Sequence, residues 1–121
     1  MADEQQHLTI RNSGGVQFVQ FADRKILDEL AISEMGEELT NLVSNNANVR
    51  LLLSFKNVEH LSSAALGVLI TLNRLVNDKG GQLRLAEISP QIFEVFKITR
   101  LNKLFTIYPT TQEALASFDQ D

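Results

Sequence analysis

Residues 49–55 read VRLLLSF, a run too short for a buried helix and without the alternation of a half-exposed strand. Such a run fits a strand covered on both faces, the habit of the middle of a parallel sheet with layers on either side. A chain that contains it must supply the covering layers from its own flanks. Both flanks have the required period. Ile32, Met35, Leu39, Leu42 and Val43 fall on one helical stripe, with Glu34, Glu37 and Glu38 off it, and this first helix ends near SNNAN. Downstream, Ala64, Ala65, Leu66, Val68, Leu69, Leu72, Leu75 and Val76 suit a second, more buried helix closed by NDKGG.

The remaining elements follow from local signals. HLTIRN and VQFVQF read as two strands joined at Ser13-Gly14-Gly15, a hairpin pattern. QLRLAEI alternates as a strand, and Ser89-Pro90 supplies an N-cap and a first-turn proline for a short helix over QIFEVFKIT. LFTIY is a last short strand, and Thr110 with Glu113 matches a capping box ahead of a C-terminal helix. The order β-β-α-β-α-β-α-β-α predicts an α/β domain, a mixed sheet of about four to five strands with about four helices packed against it. One domain over 1–121 is expected, its core about 7–118 between short polar termini, because 121 residues at 44% hydrophobic content make one core.

Composition narrows the function. The chain has no cysteine, which removes disulfides and thiolate metal sites and favours a reducing compartment such as the cytoplasm. MADEQQHLTI is acidic and polar, and no stretch nears the roughly 18 apolar residues of a membrane span, so neither export nor membrane insertion is expected. A net charge of −4, with 11 Lys and Arg scattered among 15 acids, argues against nucleic acid and points to protein partners.

In α/β sheets functional groups gather where a strand's carboxyl end hands over to a helix. The informative handover here is SFKNVEHLSS, leading into VEHLSSAALGVLITL. Ser62 or Ser63 can simply cap the second helix, for about 1 kcal/mol, or the small side chains can serve close packing with Ala64 and Ala65. A hydroxyl at a helix start is also well placed to carry a phosphate, since free backbone N–H groups and the positive helix end stabilise a dianion. Catalysis has less support. HLSSA is not a G-x-S-x-G elbow, only His7 and His60 are available as a base, and His60 reads as an exposed loop residue. Gly80-Gly81 closes a helix without a phosphate-cradling lysine, and two separate histidines give no metal-ligand spacing. No enzyme activity, cofactor or metal is expected.

Three separated segments resemble, in order and spacing, the STAS domain of stand-alone bacterial anti-sigma factor antagonists. They are VEHLSSAALGVLITL, LDELAISEMGEEL with Asp28 at the family's loop aspartate, and FEVFKITRLNKLFTIYPTTQEAL. The resemblance implies a partner-switching module. The unphosphorylated form would bind an anti-sigma factor that is also a serine kinase and free the sigma factor, phosphorylation would switch it off, and a serine phosphatase would be a further partner. Aligned to the family's Asp-Ser-Ser/Thr-Gly-Leu-Gly-Val, LSSAALGV places Ser63 at the phosphoacceptor, with Ser62 as the fallback. Ser62 then stands where an Asp is common, Ala64 at the second hydroxyl and Ala65 at the glycine. The partner surface implied comprises Asp28, His60, Ser62, Ser63, Ala64 and Gly67. The missing Asp leaves a second reading open, a constitutive STAS scaffold or adaptor subunit without phosphorylation. A small-ligand binder using the same handover is a third.

Overall fold

The computed structural model describes residues 7–118; the polar termini expected from the sequence fall largely outside them. The hairpin forms as the alternation predicts: β1 (Leu8–Ser13) and β2 (Val16–Phe21) pair antiparallel in the register Leu8↔Phe21 to Ser13↔Val16. Gly14 and Gly15 both take positive φ in the turn, a region open to glycine at no steric cost. The VRLLLSF run becomes β4 (Arg50–Ser54), whose Leu51, Leu52 and Leu53 are fully buried. Each such leucine contributes about 2–3 kcal/mol of burial.

Around β4 the five-stranded sheet has the order β1-β2-β4-β6-β7, with β6 at Gln82–Ala86 and β7 at Thr106–Tyr108. Only the β1–β2 pair is antiparallel, because every later strand is reached by a helical crossover. Each crossover moves one strand further across the sheet, so connections of one hand place their helices on one face. Buried residues of α1 (Glu29–Ser44), α2 (Ser63–Asp78) and α3 (Pro90–Ile98) accordingly share one core with Leu51 and Leu53. The alternate residue, Leu52, points the other way, where Ala114 and Phe118 of α4 (Thr111–Phe118) cover it with Val16 and Ala86.

Several details depart from the sequence reading. The first helix starts at Glu29, a turn before its apolar stripe begins, because Asp28 caps it by accepting from Ala31 N–H at 2.9 Å. LFTIY contributes only its last three residues as a strand; the chain before it forms a 3-10 turn, Leu101–Lys103, that buries Leu101 and Phe105. Half of the expected capping box is present at α4. Thr110 Oγ1 accepts from Glu113 N–H at 3.1 Å, while the Glu87 carboxylate, from a residue with φ of 62°, takes the Thr111 N–H at 2.8 Å. The Gly80-Gly81 pair does close α2, and a β-carbon at Gly81 would collide with the Val49 carbonyl where β6 enters beside β4.

Candidate functional site

Two strands absent from the sequence reading build the site. β3 (Lys25–Ile26) and β5 (His60–Leu61) pair in parallel as a separate two-stranded sheet, Lys25 beside His60 and Ile26 beside Leu61. The Arg24 carbonyl accepts from both Glu59 N–H (2.7 Å) and His60 N–H (3.1 Å), and Ser62 N–H donates to the Ile26 carbonyl at 3.1 Å. These bonds stitch the segment entering α1 to the segment entering α2. The Asp28 loop and the Ser62-Ser63 junction are therefore held as one surface at the carboxyl end of the parallel strands. His60, expected in a loop, is a strand residue, and it is exposed as anticipated.

At the junction the two serines divide the work. Ser62, half-buried and extended (φ −84°, ψ 168°), is the N-cap: its Oγ accepts from Ala65 N–H at 3.2 Å. An aspartate, the residue the resemblance carries at this position, caps a helix just as well, so serine keeps the local geometry and removes only the charge. Ser63 is the first residue of α2, exposed, with no hydrogen bond from its hydroxyl among the described residues. Ala64 and Gly67 are exposed on the same helix start. Of the residues expected to form a partner surface, Ser62, Ser63, Ala64 and Gly67 are contiguous on α2, and the small sheet joins His60 and the Asp28 segment to them.

The sequence reading missed the apolar part of this surface. Leu27 is 50% exposed and Val95 on α3 is 37% exposed. Leu27, Leu61, Ile92 and Val95, with Glu59, His60 and Gln91, line a groove of about 340 Å³ beside the junction. Val95 could not have been suspected from α3 alone, because it stands three residues after Ile92, the spacing of a buried stripe. Nor could the neighbourhood of Leu27, which depends on the pairing of β3 with β5. An apolar pocket nearby, about 20 Å³ among Phe21, Met35, Phe55 and their neighbours, has room for nothing larger than a water. Among the described residues no cluster of three or more His, Asp or Glu could hold a metal ion, and no helix is long and apolar enough to cross a membrane.

A family model described as the STAS domain matches residues 9–114. The anti-sigma F factor antagonist of Paenibacillus polymyxa is 29% identical over 69 residues, 57% of this chain and 59% of that protein. The anti-sigma-B factor antagonist of Bacillus subtilis (strain 168) is 30% identical over 81 residues, 67% of this chain and 72% of that protein. The aligned part thus spans about three fifths of the first relative's length. The structure of an anti-sigma-factor antagonist (STAS) domain protein from Planctomyces limnophilus superposes with a TM-score of 0.81 at 19% identity, covering 91% of this chain and 95% of that one. At that identity the likeness speaks for the fold.

Proposed function

The chain belongs to the STAS domain family, and from that premise we propose that it is an anti-sigma factor antagonist of the cytoplasm that works by partner switching at Ser63. In its unmodified form it binds an anti-sigma factor that is also a serine kinase, and the sigma factor is released. The kinase then turns it off. Ser63 Oγ attacks the γ-phosphorus of ATP, the bond to the β,γ-bridging oxygen breaks, ADP leaves, and the hydroxyl proton passes to a base on the kinase.

The observation that carries this reading is the division between the serines: Ser62 Oγ is committed to Ala65 N–H, whereas Ser63 is exposed and uncommitted at the start of α2. The helix end and its free N–H groups tolerate an added dianion, so the domain stays folded. The interface does not. A kinase that modifies Ser63 must hold nucleotide phosphates against it, and after transfer the phosphoserine faces the phosphates of ADP, like charges at close range. A serine phosphatase would restore the binding form.

The test is incubation of the chain with the anti-sigma factor kinase and ATP, followed by peptide mass spectrometry. Phosphate on Ser63 is expected, and phosphate confined to other residues, Ser62 included, would refute the assignment. Serine in place of the usual acid at position 62 favours one other reading, a constitutive scaffold or adaptor. A bound partner that is no kinase and that ATP does not release would select it.

A further inference from the structure

We propose that the outer edge of β1 is a self-association surface: two copies of the chain pair their β1 strands antiparallel about a two-fold axis at Ile10 and join their sheets into one. β1 is an outer strand in the order β1-β2-β4-β6-β7. At the start of the hairpin Ala22 N–H donates to the His7 carbonyl at 2.9 Å, and an antiparallel ladder repeats such a bonded pair every second residue. In the register Leu8↔Phe21 to Ser13↔Val16, Thr9, Arg11 and Ser13 therefore turn their backbone groups to β2, and Leu8, Ile10 and Asn12 turn theirs outward. No strand of the described residues pairs with that outer row.

The two edges of the sheet are not alike. β7 is three residues long and is followed by Pro109, a short, proline-bounded form that resists extension by another strand. β1 is six residues long, has neither proline nor lysine, and carries Arg11 as its one charge. It also presents Ile10, 37% exposed, although the residue paired with it, Val19, is fully buried. An unguarded edge with an exposed aliphatic side chain is a template for a further strand.

The sequence of β1 makes its own copy a fitting partner and sets the register. With the axis at Ile10, that residue faces its own counterpart, Leu8 faces Asn12 and Thr9 faces Arg11. All three outward residues of each copy are then used, for about six backbone hydrogen bonds. An axis at Thr9 would carry Asn12 past the end of β1. An axis at Arg11 would carry Leu8 into the glycine turn and set arginine against arginine, like charges directly opposite. The paired edge is short, so the interface buries less than about 1,200 Å² in total and the dimer is weak and concentration-dependent. Because the paired strands run in opposite directions, so do the two parallel sheets behind them. The two Ser63 junctions then lie at opposite ends of the pair, and self-association leaves both open.

Sedimentation velocity of the purified chain at about 2 µM and about 200 µM tests this. Wild type should be monomeric at the lower concentration and dimeric at the higher. Ile10→Lys and Ile10→Glu each set like charges across the axis and should each weaken the dimer about tenfold or more. Mixed in equal amounts they should restore it, because position 10 faces position 10 only in the Ile10-centred register, and that recovery also shows both variants to be folded. Ser63→Asp should dimerise as the wild type does. A dimer indifferent to both Ile10 variants, or a mixture of the two that stays monomeric, overturns the proposal. So does a wild type that is monomeric at both concentrations, which would leave the edge to a strand of another protein, and so does a dimer lost in Ser63→Asp, which would place the contact at the switch surface. No kinase takes part, so failure here leaves the partner-switching reading standing.

Discussion

Helices α2 and α3 begin alike and then part. Each follows a parallel strand, and each is capped by a serine, Ser62 Oγ taking Ala65 N–H at 3.2 Å and Ser89 Oγ taking Ile92 N–H at 3.3 Å. The next residue differs. At α3 it is Pro90, which has no hydroxyl and no N–H and suits a position whose N–H would be unpaired in any case. At α2 it is Ser63, a second hydroxyl that capping does not use. The comparison isolates what is surplus at α2. A helix start here needs one serine, so the second is free for another purpose, and it lies on a surface that also carries Leu27, β3 and β5.

The largest expected effect lies in that surplus. Ser63→Asp, a partial mimic of the phosphoserine, should weaken kinase binding about 100-fold, which is about 2.7 kcal/mol, with the circular dichroism spectrum and Tm little changed. Titration calorimetry would measure it, and tight binding by Ser63→Asp would break the distinction between the two helix starts. Next in size are the caps. Ser62→Ala and Ser89→Ala should each cost about 1 kcal/mol in urea denaturation, and a cost confined to one would mean that the two serines are not equivalent caps after all.

Some of this was legible in the sequence. The major strands and all four helices were, because VRLLLSF has no period and the stretches beside it have a helical one, and burial on both faces at Leu51, Leu52 and Leu53 is what the run foretold. The capping serines were visible as residue types, but which of Ser62 and Ser63 caps was settled only by the backbone of Ser62, extended at φ −84°. The strands β3 and β5 were illegible. Each is two residues long, too short to show alternation, and each gains its hydrogen bonds from a partner 35 positions away in the register Lys25↔His60. The apolar surface was hidden for the same reason, since Leu27 joins Leu61 and Val95 only through that pairing. Glu87 illustrates the limit again: its carboxylate completes the α4 cap from 24 residues upstream.

Two smaller effects sharpen the comparison. Pro90→Ser gives α3 the same Ser-Ser start as α2, for a loss of about 0.5 kcal/mol from the greater freedom of the unfolded chain. Mass spectrometry after incubation with kinase and ATP should find position 90 unmodified, because the surface formed by β3 and β5 is not there. Modification of both would mean that any serine after a capping serine suffices. The smallest effect on stability belongs to Ser63→Ala. Its hydroxyl makes no hydrogen bond among the described residues, so removing it should change unfolding free energy by less than about 0.5 kcal/mol, against the larger loss at Ser62. The same variant should bind the kinase as the wild type does and stay bound when ATP is added. A hydroxyl that costs nothing to remove from the fold, yet whose removal abolishes ATP-dependent release, separates the switch from the cap in one protein. If Ser63→Ala instead destabilised the domain as much as Ser62→Ala, Ser63 would be structural too, and the surplus at α2 would vanish.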